Sequence, residues 1–220
     1  FTAENVRLSA LVDKGNSGVA SGTGRRVSST VSLWQGSLPS PATDGNYCVS
    51  KPAMAGRLRG VEIIAHRGAS YDAPENTLSA ARLAWMQGAD ALEMDVHLTG
   101  DGRLAVIHDE DLQRVAGVAR KVSAATLAEL KEADVGRWKG AAFAGERIPE
   151  LGEVLATVPA GRRVFIEIKS GAGVVGALER CLAQHGPPPG RAVIISFDRQ
   201  AARAAKQALP RFEVCLVVDT

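Results

Sequence analysis

An α/β fold built on a parallel sheet is what this 220-residue sequence predicts, and three observations carry that expectation. From residue 61 onward, short apolar runs alternate with stretches of helical period, the pattern of βαβ units. The runs are rich in Val and Ile, as strands buried on both faces require. Their charged residues gather at the C-terminal ends: His66-Arg67, Glu93 with Asp95, and Glu167 with Lys169. Strand C-termini are where a barrel or an open α/β sheet builds its active site.

Taken in order, Val61–His66 is the first expected strand. Pro74-Glu-Asn-Thr-Leu opens a helix to about Gln87, with Leu78, Ala81, Arg82 and Trp85 at helical spacing and Gly88 closing it. Ala91–Leu98 is a strand on which side chains alternate between faces, so Glu93 and Asp95 share one face while Leu92, Met94, Val96 and Leu98 line the other. The turn Thr99-Gly-Asp-Gly102 leads to an extended run, Arg103–His108. Residues 109–147 form an excursion with one helical piece, Thr126–Glu132. A helix over 149–157, strand Arg163–Lys169, helix Gly173–Gln184, strand Ala192–Phe197, helix Asp198–Leu209 and strand Glu213–Val218 follow. Residues 1–53 differ. They carry clusters such as Gly15-Asn-Ser-Gly18 and Ser37-Leu-Pro-Ser-Pro41 without sustained period, so they are expected to be a disordered extension or upstream sequence, with Met54 as the initiator. The alternating strands and helices are then expected within 54–220.

With 45% hydrophobic residues the chain can bury a substantial core. Lys and Arg number 26 against 24 Asp and Glu; residues 1–60 hold seven basic and three acidic side chains, which leaves 19 and 21 for the rest. That balance gives no basic footprint for nucleic acid. Three widely spaced cysteines, Cys48, Cys181 and Cys215, form no Cys-x-x-Cys pair, and Cys181 and Cys215 are expected to pack as small apolar groups. No apolar run reaches the ~18 residues of a membrane span, and no secretion signal is visible, so a cytoplasmic setting is expected. Nothing in the sequence sets an oligomeric state.

Two carboxylates as close as Glu93 and Asp95 repel by about 4 kcal/mol at ~4 Å in an effective dielectric of ~20. A positive charge must offset that. The oxygen-only set Glu93, Asp95 and Glu167 suits a hard divalent cation, Mg²⁺ or Ca²⁺, better than zinc; the alternative is structural ion pairing with Arg67 and Lys169. His66 and His108, at strand ends beside this cluster, are candidate proton-transfer groups. Arg67 and Lys169 are candidates for neutralising phosphate oxygens, or are simply ion-pair partners. His97 and His185 are expected to be structural, and the glycine turns at 68–70 and 99–102 match no phosphate-loop fingerprint.

His66-Arg-Gly68, Pro74-Glu-Asn-Thr77, Glu93-Met-Asp-Val-His-Leu-Thr-Gly-Asp-Gly102, His108-Asp, Leu112-Gln-Arg114, Gly145-Glu-Arg-Ile-Pro149 and Glu167-Ile-Lys169 together resemble the glycerophosphodiester phosphodiesterase family, of its bacterial, short cytoplasmic type. The resemblance implies a TIM (β/α)₈ barrel that hydrolyses glycerophosphodiesters to glycerol 3-phosphate and an alcohol, using a divalent cation. It also implies Glu93, Asp95 and Glu167 as metal ligands, His66 and His108 as the acid/base pair, Arg67 and Lys169 on the phosphate, and Glu75 as a supporting residue. Residues 109–147 correspond to the family's small insertion. Pro149-Glu-Leu departs from the usual Pro-Thr-Leu, removing a hydroxyl helix cap worth ~1 kcal/mol. A (β/α)₈ barrel takes ~250 residues, whereas the sequence to Thr220 supplies about five of eight strands, so the enzyme is expected to continue beyond it. A lysophospholipase D-like substrate, or an inactive truncated barrel, are the alternatives.

Overall fold

The structure, a computed structural model, describes residues 62–218. The expectations for residues 1–53, including Cys48 and the suggested start at Met54, lie outside the described residues, as does Val61.

Five parallel strands form the sheet: β1 (Ile64–His66), β2 (Ala91–Leu98), β6 (Arg163–Ile168), β7 (Ala192–Ser196) and β8 (Glu213–Leu216), adjacent in that order. These are the strands the sequence predicts at 61, 91, 163, 192 and 213, with β1 shorter than expected at its start. Among the described residues β1 and β8 do not pair with each other, so the sheet is an unclosed arc. β3 (Leu104–Val106) turns back antiparallel against the last residues of β2, Val96–Leu98, while β1 pairs only with Ala91–Glu93.

Alternation along each strand sorts the core. Leu92, Met94, Val96, Val164, Ile166, Ile168 and Ile194 face outward onto helices α1 (Leu78–Met86), α4 (Leu151–Leu155), α5 (Val175–His185) and α6 (Arg199–Ala208). The opposite face carries Phe165, Val193, Ile195, Cys215 and Val217 as a smaller apolar cluster. Toward the strand C-termini that same face becomes acidic, with Glu93, Asp95 and Glu167 all buried.

Residues 109–147 are richer in structure than the single helix the sequence suggested. A two-stranded ribbon of β4 (Asp111–Leu112) and β5 (Val118–Lys121) flanks a one-turn helix, α2 (Gln113–Ala116), which ends where Gly117 takes φ 69°. Helix α3 (Leu127–Leu130) follows, capped by Thr126, whose hydroxyl accepts from Glu129 N–H while the Glu129 carboxylate accepts from Thr126 N–H. Leu112, Val115, Val122, Leu127, Leu130, Val135 and Ile148 give this segment its own core. At α4 the missing cap hydroxyl is offset in part: Glu153 accepts from Glu150 N–H at 2.7 Å, and the Glu150 carboxylate instead binds Arg103.

One helix begins later than its sequence suggests. Pro74–Asn76 is not helical; α1 starts at Leu78 behind Thr77, whose hydroxyl accepts from Ala80 N–H at 3.2 Å. The cause is Asn76, which sits at φ 58° and so cannot continue a right-handed helix. Asparagine tolerates that conformation better than most residues, and here its side chain is committed elsewhere.

Candidate active site

The site begins with a tight loop after β1. Arg67 (φ 55°) and Gly68 (φ 79°) both take left-handed conformations, folding residues 67–77 back over the end of the sheet. A Cβ on Gly68 would lie 2.7 Å from the Ala80 backbone carbonyl carbon, so only glycine lets the loop lie against the start of α1. The turn aims the Arg67 N–H at Glu93 Oε2 (3.0 Å) and its guanidinium at Glu75 Oε1 (3.0 Å).

Strand register brings the acids together. His66 pairs with Glu93 across β1 and β2, and Asp95 pairs with Glu167 across β2 and β6. One oxygen from each of Glu93, Asp95 and Glu167 lies within 4.8 Å of the others. Both ion pairs named as the structural alternative are present: Lys169 Nζ is 2.8 Å from Glu167 Oε1, and Arg67 Nε is 3.3 Å from Asp95 Oδ2. They do not complete the site. Among the described residues Glu93 Oε1 and Asp95 Oδ1 are buried without a hydrogen-bond partner, Lys169 Nζ standing 3.7 Å from Asp95 Oδ1. Burial and the neighbouring Asp95 carboxylate push the Glu93 carboxyl well above its ordinary range, and burial also raises Glu167 although Lys169 opposes it. Oxygen donors clustered this closely, with two lone-pair sites unspent, fit a hard divalent cation.

Asn76 fixes Asp95 in place. Between the stretch of β2 paired with β1 and the stretch paired with β3, the Asp95 N–H has no strand partner among the described residues. It donates instead to Asn76 Oδ1 (3.1 Å), while Asn76 Nδ2 donates to Asp95 Oδ2 (2.8 Å). Sequence reasoning gave Asn76 no role; an asparagine just ahead of a Thr cap, where a left-handed turn is tolerated, was the available signal.

The two histidines stand at the same end. His66, half exposed, has Nε2 3.9 Å from Glu93 Oε2; burial, and then the Arg67 charge, hold its imidazole below the ordinary range. His108 follows β3, with Nδ1 2.7 Å from Asp109 Oδ1. His97, expected to lack such partners, proves tied into the site: its Nε2 bonds the His108 carbonyl oxygen at 3.0 Å and its Nδ1 the Ser170 hydroxyl at 3.1 Å. A histidine on the Glu93/Asp95 face already signalled proximity, but its partners lie 11 and 73 residues away and needed the fold. His185 stays remote, its ring packed beside Gly152. Asp109 and Arg114 are further site residues that sequence reasoning left without a role.

Residues 66–184 match the model of the glycerophosphoryl diester phosphodiesterase family. This chain belongs to that family. It is 40% identical over 162 residues to a glycerophosphodiester phosphodiesterase of Caldanaerobacter subterraneus subsp. tengcongensis, covering 70% of this chain and 65% of the relative. It is 33% identical over 173 residues to a glycerophosphodiester phosphodiesterase of Bacillus subtilis, covering 71% and 59%. The chain thus spans less than two thirds of either relative. Among solved structures it resembles an Oleispira antarctica phosphodiesterase in complex with the product sn-glycerol-3-phosphate, at TM-score 0.65 and 36% identity over 69% of this chain and 63% of that one. It also resembles a glycerophosphodiester phosphodiesterase from Agrobacterium tumefaciens, at TM-score 0.62 and 32% identity over 69% and 64%. The α/β sheet of this family member is accordingly of the TIM-barrel type, open in the residues described.

Proposed function

We propose that this chain acts as a glycerophosphodiester phosphodiesterase, which releases glycerol 3-phosphate and an alcohol. The observation that carries the reading is the buried trio Glu93, Asp95 and Glu167, with two unspent oxygens, beside two histidines and two cationic side chains. The trio would hold one divalent cation, Mg²⁺ or Ca²⁺, which supplies Lewis-acid polarisation of the phosphoryl group when bound.

Every other role falls to the chain itself. Arg67 and Lys169 bind phosphoryl oxygens and spread the charge that develops on them. Arg67 is suited to this because, among the described residues, its guanidinium spends only Nη1 on a hydrogen bond, to Glu75, and its planar fork retains a second terminal nitrogen. His66 and His108 divide the two proton transfers, one removing the nucleophile's proton and the other protonating the departing alkoxide. Glu75 holds the Arg67 guanidinium at a fixed angle.

The test is hydrolysis of glycerophosphocholine followed by enzymatic detection of glycerol 3-phosphate. Product should form, stop on chelation and return with Mg²⁺ or Ca²⁺. His66→Ala or His108→Ala should each slow turnover by at least ~10²-fold. Turnover that is indifferent to chelator and to both substitutions would remove the proposal.

A further inference from the structure

Between the loop that carries Arg67 and the strand end that carries His108 lies a single guanidinium. Arg114, on the one-turn helix α2, donates Nη1 to Glu75 Oε2 (2.9 Å), Nη2 to Glu75 Oε1 (2.7 Å) and Nε to Asp109 Oδ2 (2.6 Å). Both carboxylates have a second partner: Glu75 Oε1, already bonded by Arg114 Nη2, also accepts from Arg67 Nη1, and Asp109 Oδ1 pairs with His108 Nδ1. The chain of contacts runs Arg67, Glu75, Arg114, Asp109, His108, with charges alternating in sign up to the imidazole.

We propose that Arg114 is a positioning residue: by clamping Glu75 and Asp109 in one planar fork it fixes the Arg67 guanidinium and the His108 ring relative to each other. The deduction rests on the phosphodiesterase reading for its catalytic meaning, though not for its geometry. Three donors of one rigid plane meet three carboxylate oxygens, an arrangement lysine's point charge cannot reproduce. Among the described residues the Asp109 carboxylate has one other partner, His108, so without Arg114 it is free to rotate away. Asp109 in its present position takes the proton on Nδ1 and leaves Nε2, which has no hydrogen-bond partner among the described residues, as the ring nitrogen available for proton transfer. Through Arg114 on its first helix, the segment 109–147 thereby sets the ring geometry of His108, the residue just before it.

The test pairs an activity measurement with a spectroscopic one on the same samples. Long-range ¹H–¹⁵N NMR of the histidine rings should show His108 of the wild-type protein as the Nδ1–H tautomer. Arg114→Ala, Arg114→Lys and Asp109→Asn should each move it toward the mixture of a free imidazole. Turnover should fall about 10- to 10²-fold in kcat for Arg114→Ala, with KM within about 2-fold, and Arg114→Lys should restore little of it. An unchanged His108 tautomer in the Arg114 variants overturns the proposal, as does recovery of full kcat by lysine. If Arg114→Ala does not fold, Arg114→Lys and Asp109→Asn carry the same comparison. A wild-type protein inactive on every glycerophosphodiester would sink the proposed function, while the NMR comparison would still decide the role of Arg114.

Discussion

Replacing Asn76 by alanine is the sharpest test of how the acidic cluster is built. Asn76 is buried, and its amide makes two hydrogen bonds to Asp95, one to the backbone N–H and one to the carboxylate. Removing it leaves the Asp95 N–H unsatisfied in the gap between β1 and β3, at a cost of about 1–3 kcal/mol. The lost bond to an ionised carboxylate adds roughly 1.5–3 kcal/mol. Alanine must also hold φ near the observed 58°, which costs about 1 kcal/mol. Allowing for relaxation, Asn76→Ala should lose about 3–5 kcal/mol, a large share of a typical domain's 5–15 kcal/mol. Asn76→Gly loses the same hydrogen bonds without the conformational cost, so it should be about 1 kcal/mol more stable than Asn76→Ala. Urea denaturation monitored by far-UV circular dichroism measures both. An Asn76→Ala protein within 1 kcal/mol of wild type would refute the idea that this amide holds Asp95, and Asn76→Gly no better than Asn76→Ala would refute the conformational cost assigned to φ 58°.

Two further outcomes follow from the loop around it. Gly68→Ala should lower the thermal midpoint sharply, because the new Cβ meets backbone of Ala80 at 2.7 Å and no flexible side chain can yield; a change of less than about 1 °C would contradict the close approach. For Glu75, burial alone would raise the carboxyl, but hydrogen bonds from Arg114 and the charge of Arg67 outweigh it and hold it below its ordinary value. A carboxyl lowered in the folded state contributes stability above its unfolded pKa of ~4.3, and that contribution is lost as pH falls through the folded value. Urea unfolding at pH 6 and again below pH 4 should therefore show a smaller acid loss for Glu75→Gln than for wild type; equal losses would show that Glu75 is not the group being titrated.

The parts of this molecule that sequence displayed plainly are those set by local period. Glu93 and Asp95 lie two residues apart on a strand, so their shared face follows from alternation, and the same holds for Glu167 and Lys169. What brings Asp95 beside Glu167 is the β2–β6 register, a tertiary fact with no local signature. The Pro74–Thr77 segment reads as a helix start because Pro, Glu and Thr all favour one. The left-handed Asn76 overrides that preference through bonds to a residue 19 positions away. Arg114 stood in the sequence only as part of the Leu112-Gln-Arg114 motif, and its partner Glu75 lies 39 residues earlier, a contact that only the fold creates. His97 likewise showed its face but not its partners. The motifs shared with the phosphodiesterase family supplied site residues that period alone could only nominate.

Calorimetric titration of Mg²⁺ or Ca²⁺ into chelator-stripped protein addresses the acidic trio most directly. Saturable binding should be seen with wild type and abolished by Glu93→Gln and by Glu167→Gln, with the folded state intact by circular dichroism. Binding of equal strength in those variants, or none in the wild-type protein, would mean the three carboxylates are packed for some other purpose.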